Sequence, residues 1–146
     1  MAKAPLIPKK KLEYLSVLVV DDSQFDRDLL IAILRKIGIH GIQVAENGSI
    51  AGNKIENAIA IRKKFDIIFL DSRMPSQDGP SLLRQIRSEP KLNGQIVVIT
   101  TGSSNKKEVQ EYLNMGIQDF IIKPVSLEVL KDKMNFIASS VIKNAS

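Results

Sequence analysis

Three aspartates, two threonines and a lysine stand where short apolar runs of this chain end. Asp21 and Asp22 follow VLVV, Asp71 follows IIFL, Thr100 and Thr101 close IVVITT, and Lys123 follows DFII. In an open α/β sheet, ligands bind beyond the carboxyl ends of the strands, in the crevice where strand order reverses. If these runs are parallel neighbours, three carboxylates, a hydroxyl and an ammonium converge there. Two carboxylates about 4 Å apart repel by about 4 kcal/mol at an effective dielectric near 20, so such a cluster persists around a cation. Oxygen donors alone select a hard ion such as Mg2+, held by one or two carboxylates with phosphate oxygens and water. A cation on one side of a carboxylate and a lysine on the other make a seat for a phosphoryl group. Aspartate is itself a competent nucleophile toward phosphorus.

Each feature alone has a plainer explanation. An Asp-Asp pair after a strand caps a helix, Lys-Pro makes a turn, and Thr-Thr is a β-branched strand end. His40, the one histidine, reads as a solvated residue of a Gly-flanked loop. The coincidence of all the elements at successive strand ends is what points to chemistry.

The elements that must position them alternate in kind. Strands are predicted at Val17–Val20, Ile42–Ala45, Ile67–Leu70, Ile96–Thr100 and Phe120–Ile122. Helical spacing of apolar residues predicts helices over Phe25–Ile37, Ile50–Ile61, Ser81–Arg87, Val109–Leu113 and Leu127–Ile142. Ser23, Ser104 or Asn105, and Ser126 suit helix starts, while Gly38 and Gly116 fall where helices stop. Val17–Val20 and Ile67–Leu70 are continuously apolar, as strands covered on both faces must be. Five βα units in alternation predict an α/β fold, a doubly wound five-stranded parallel sheet. The loop and helix between Asn47 and Phe65 are expected to be extended.

Composition limits the alternatives. The chain has 146 residues, 44% hydrophobic and 25% charged, which suits one domain with a real core. With no cysteine, disulfides and thiolate metal sites are excluded. The N-terminal stretch MAKAPLIPKKKLEYLS has no apolar run suited to a signal sequence, and no segment approaches the ~20 apolar residues of a membrane span, so a cytoplasmic location is expected. Of the net charge of +5, +3 sits in residues 1–16, so the basic balance belongs mainly to a leading arm over residues 1–15. Aromatics are only 5% and tryptophan is absent, which argues against nucleic-acid binding by the domain over residues 16–146.

Taken together, VLVVDDS (Val17–Ser23), DIIFLDSRMPSQDGP (Asp66–Pro80), IVVITTGSS (Ile96–Ser104) and DFIIKP (Asp119–Pro124) resemble the receiver domain of two-component response regulators. The resemblance runs from about Ser16 to Ala145, and the ordered set with its spacing is far more specific than any one motif. It implies a flavodoxin-like (βα)5 receiver fold. Asp71 would be the phosphoacceptor, charged from the phosphohistidine of a histidine kinase or a histidine phosphotransfer protein. Asp21, Asp22, Asp71 and the backbone carbonyl of Arg73 would hold Mg2+. Lys123 and the backbone of Ser72 and Gly102 would bind the phosphoryl oxygens. The family spacing back from Gly116 and Lys123 selects Thr101 over Thr100 as the switch hydroxyl. Phe120 falls at the switch aromatic position, and the Lys123–Pro124 peptide would be cis. Phosphorylation would then reshape a surface for a downstream protein target, with a phosphorylation-dependent dimer among the outcomes. Arg73 and Ser103 occupy positions that tune phosphoryl lifetime in the family, and a bulky cation at Arg73 bears on access to the phosphoryl group.

Other classes fit less well. A haloacid-dehalogenase-type phosphatase carries a second Asp two residues after its nucleophile, where this chain has Arg73. A flavodoxin places its phosphate loop after the first strand, whereas TTGSS follows the fourth. A receiver that is never phosphorylated would not need the full acidic set with Thr101 and Lys123. Few residues follow the last predicted helix, so a stand-alone receiver is expected, with a receiver fragment of a longer regulator as the alternative. The Lys-rich arm reads as a solvated leader.

Overall fold

The computed structural model describes residues 9–74, 79–102 and 105–145. Pro75 and Asp78, expected to help turn the chain into the third predicted helix, lie outside them, as do Ser103 and Ser104. Five strands, β1 (Ser16–Val20), β2 (Gly41–Ala45), β3 (Ile67–Asp71), β4 (Ile96–Thr101) and β5 (Asp119–Ile122), form one sheet in the order β2-β1-β3-β4-β5. Every pairing is parallel. The helices are α1 (Lys9–Leu12), α2 (Gln24–Ile37), α3 (Gly48–Ala60), α4 (Gly79–Ser88), α5 (Lys106–Asn114) and α6 (Leu127–Ala145). Strand order reverses between β1 and β3, so the crevice opens where Asp21 and Asp71 end their strands.

Side chains alternate across each strand, and the two halves of that alternation feed two separate cores. Val17, Val19, Ile67, Phe69, Val98 and Ile121 pack with Leu30 and Leu34 of α2 and Leu130, Met134 and Ile137 of α6. Leu18, Val20, Ile68, Leu70, Val97 and Ile99 pack with Ile55 of α3, Leu82, Leu83 and Ile86 of α4, and Tyr112 of α5. This two-sided cover is why β1, β3 and β4 are apolar in their interiors, with polar residues only at their ends.

The caps do what their residue types allow. Ser23 Oγ accepts from the Asp26 N–H at 3.2 Å and opens α2, and Gly38 closes it with φ 114°. Asn105 Oδ1 accepts from the Lys107 and Glu108 amides to open α5, and Gly116 follows that helix at φ 83°. Ser126 Oγ accepts from the Val129 N–H at 3.3 Å.

The N-terminal side of the fold differs from the sequence reading in one respect. Leu12 and Leu15 are buried in the α2/α6 core, so apolar packing begins inside the stretch read as an arm. Contact with β2 is close as well: a Cβ on Gly41 would stand 2.7 Å from the Leu15 carbonyl oxygen.

Candidate functional site

The site is built at the carboxyl ends of β1, β3, β4 and β5. β1 delivers Asp21, whose carboxylate is buried and accepts from the Ser23 N–H at 2.9 Å. Asp22, next along the chain, is exposed. β3 delivers Asp71, 5% exposed and paired in register with Thr100 of β4. One carboxylate oxygen from each of Asp21, Asp22 and Asp71 lies within 4.8 Å of the others. With oxygen donors only and one of the three acids facing solvent, this trio fits a hard, partly hydrated divalent cation such as Mg2+.

Opposite the acids stands Lys123, at the end of β5. Its Nζ lies 2.8 Å from Asp21 Oδ2, 3.1 Å from Asp26 Oδ2 and 3.2 Å from Asp71 Oδ1. Its N–H donates to Thr101 O at 2.7 Å, and the Lys123–Pro124 peptide is cis. Burial works against the ammonium, but the hydrogen bonds to Asp21 and Asp26 and the charges of Asp71 and Asp21 outweigh it and raise the lysine's pKa.

The pKa of Asp71 is raised as well, but in a carboxyl a rise disfavours the charged form. Burial, and then the charge of Asp21, push its carboxyl up to about 7, against the pull of Lys123 and the Arg73 amide. A carboxylate poised there is one whose charge calls for a further cation.

Hydroxyls and amides complete the surround. Thr101 is buried, and its Oγ1 accepts from Ser72 Oγ at 3.1 Å. The Ser72 N–H donates to Thr100 O at 2.9 Å, and the Ser72 carbonyl accepts from the Tyr112 hydroxyl at 3.3 Å. The Arg73 N–H faces Asp71 Oδ1 at 3.5 Å, while its guanidinium turns outward, with the side chain 80% exposed and Nη2 3.9 Å from Glu108 Oε2. Gly102 is open: a Cβ there would meet nothing within 4 Å. Phe120 sits half-buried at the edge of the α3/α4/α5 core, with Lys133 Nζ 5.3 Å from its ring centroid.

Asp21, Asp22, Asp71 and Lys123, singled out by strand-end position, and Thr101, chosen over Thr100 by the resemblance, therefore come together. Three participants were not singled out for the parts they play. Asp26 reads in sequence as an ordinary acid in a helix's first turn, a placement the helix dipole favours without any site. The Ser72 hydroxyl and Tyr112 are joined to the site by hydrogen bonds, and Tyr112 stands 40 residues along the chain from Ser72. Such a separation leaves no local pattern to read.

Comparison with known proteins gives the family. Residues 17–135 match the family model for the response regulator receiver domain. The chain is 30% identical over 123 residues to chemotaxis protein CheY1 of Helicobacter pylori, covering 84% of this chain and 96% of that protein. It is 38% identical over 114 residues to a protein-glutamate methylesterase/protein-glutamine glutaminase of Desulfotalea psychrophila, covering 77% of this chain but only 30% of that protein. It also spans 5% of hybrid signal transduction histidine kinase A of Dictyostelium discoideum. Among solved structures, the complex of CheX, CheY, BeF3 and Mg2+ from Borrelia burgdorferi superimposes with a TM-score of 0.74 at 30% identity, over 84% of this chain and 88% of that one. On the fold, the site and the match over residues 17–135, this chain belongs to the response regulator receiver domain family.

Proposed function

We propose that the chain is the phosphoacceptor of a two-component phosphorelay, with Asp71 as the residue that carries the phosphoryl group. The supporting observation is the setting of Asp71: buried at a strand end, 3.2 Å from Lys123, and clustered with Asp21 and Asp22. An Asp71 carboxylate oxygen attacks phosphorus, the P–N bond of the donor's phosphohistidine breaks, and the imidazole leaves with the bonding pair and takes up a proton. Lys123 balances charge on the transferred oxygens, and the Gly102 amide would bind one of them. The Ser72 N–H donates to Thr100 O at 2.9 Å, so it would reach a phosphoryl oxygen only by giving up that bond. Asp21, Asp22, Asp71 and the Arg73 carbonyl would hold Mg2+. When bound, the ion supplies the positive charge that brings a phosphoryl group up to three carboxylates.

Once Asp71 carries the phosphoryl group as an acyl phosphate, the Thr101 hydroxyl turns to a phosphoryl oxygen and Phe120 moves into the space it leaves. The surface around α5, β5 and α6 then changes for a protein target, by bias of a two-state equilibrium. The donor is a histidine kinase or histidine phosphotransfer protein, the setting is cytoplasmic, and dimerisation on phosphorylation is a further outcome of the same switch. No helix among the described residues is long and apolar enough to cross a membrane. Incubation with radiolabelled acetyl phosphate tests the assignment: label enters with Mg2+, not without it, and not in Asp71→Asn. Undiminished label in that variant would refute it.

A further inference from the structure

The residue that follows the phosphoacceptor has an unusual set of attachments. Ser72 is fixed through its backbone at both sides, its N–H on Thr100 O at 2.9 Å and its carbonyl under the Tyr112 hydroxyl at 3.3 Å. Its hydroxyl donates to Thr101 Oγ1 at 3.1 Å. Ser72 and Thr101 are 4% and 3% exposed, so bulk water does not compete for the bond. A buried hydroxyl that loses its partner bears the desolvation cost uncompensated.

We infer that Ser72 is a positioning residue that holds the Thr101 hydroxyl in its unphosphorylated orientation and thereby weakens the domain's hold on a phosphoryl group. The inference rests on the phosphoacceptor reading and goes beyond it in assigning the Ser72 side chain. When Thr101 turns toward a phosphoryl oxygen, the Ser72 hydroxyl must give up its acceptor. A bond made in only one of two states biases the equilibrium toward that state by its own worth. Affinity for a phosphoryl group falls by the same factor, because only the switched fraction binds it well. Tyr112 links this latch to α5, so the element bearing the changed surface is tied to the same serine.

The test uses the whole chain and beryllofluoride with Mg2+ as the phosphoryl mimic, read by intrinsic fluorescence of its two tyrosines, there being no tryptophan. Ser72→Ala is expected to bind beryllofluoride about threefold to tenfold tighter, the range set by one net hydrogen bond. Ser72→Cys, close in size but a weak donor, should shift the same way without opening a void. The gain must vanish when Thr101→Ala is present in both members of the comparison, since no hydroxyl is then held. Mg2+ affinity without beryllofluoride should be unchanged in both serine variants. Equal or weaker beryllofluoride binding by the serine variants, or a gain that persists without the Thr101 hydroxyl, would overturn the latch while leaving the phosphoacceptor reading intact. No beryllofluoride binding by the unsubstituted chain would overturn both.

Discussion

Asp26 Oδ2 lies 3.1 Å from Lys123 Nζ, so the lysine that faces Asp71 is shared with an acid outside the Asp21, Asp22 and Asp71 trio. Asp26 comes from the first turn of α2, and Lys123 from the end of β5. The pair thus ties the helix that follows β1 to the opposite side of the crevice. On the proposed function, it also draws part of the ammonium's charge away from Asp71. A partly exposed pair of this kind is worth roughly 0.5–1 kcal/mol, which converts to a twofold to fivefold change in rate. Asp26→Asn should accordingly speed labelling by acetyl phosphate by about that factor. Stopped-time labelling against the unsubstituted chain decides it, and slower labelling would show that Asp26 positions Lys123 rather than diverting it.

Asp71 also weighs on stability. Its carboxyl is pushed up to about 7 from 3.8 by burial and by Asp21, so between those values the folded chain binds a proton that the unfolded chain does not. Stability from this group is therefore fully present at low pH and is lost as pH rises through about 7. Asp71→Asn, which keeps the shape and removes the charge, should stabilise the metal-free protein at both pH 5.5 and pH 8, and by ~2 kcal/mol more at pH 8. Urea denaturation at the two values measures the difference. A gain of equal size at both would mean that charge is not the cause.

The same proton competes with the cation. Below about 7 Asp71 carries a hydrogen, and binding of Mg2+ among Asp21, Asp22 and Asp71 must expel it. Apparent Mg2+ affinity should rise with pH by up to about tenfold per unit below that point and level off above it. Calorimetric titration from pH 5.5 to 8.5 would give the profile, and buffers of different ionisation enthalpy would count the released proton. In Asp71→Asn the slope should flatten. An unchanged slope would assign the proton to another group.

Much of this was legible in the chain because both faces of the sheet are covered. VLVV and IIFL had to be central strands, and an acid directly after such a run has nowhere to go but the crevice. Asp21 and Asp71 follow from that logic and Lys123 from its place after the last strand, whereas the choice of Thr101 over Thr100 came from the family resemblance. The ends of helices were less legible. α5 begins at Lys106, three residues before the predicted start at Val109, because its first turn is polar and exposed and carries no apolar period. Leu12 and Leu15 were hidden by the lysines and prolines around them, although two leucines suffice to bring that stretch into the core. Ser72 and Tyr112 meet only through tertiary packing, and a serine after an aspartate looks like any turn residue.

Arg87 shows a different kind of dependence, between the end of α4 and the turn before β5. Its guanidinium donates to Gln95 O at 2.8 Å, Met115 O at 3.2 Å and Gly116 O at 2.6 Å. Burial lowers its pKa, yet the group stays charged and serves carbonyls that otherwise end their elements without partners. Gly116 stands at positive φ beside it, with the Arg87 Nε 3.4 Å from where a Cβ would be. Arg87→Met keeps the aliphatic stem and deletes every donor, so its cost is that of carbonyls left unpaired, about 2–3 kcal/mol. Arg87→Lys should recover only part of this, since one ammonium does not span three carbonyls in the guanidinium's plane. Urea midpoints in the order unsubstituted, Arg87→Lys, Arg87→Met would bear this out. If Arg87→Lys equalled the unsubstituted chain, charge alone rather than the planar fork would hold the α4 end to β5.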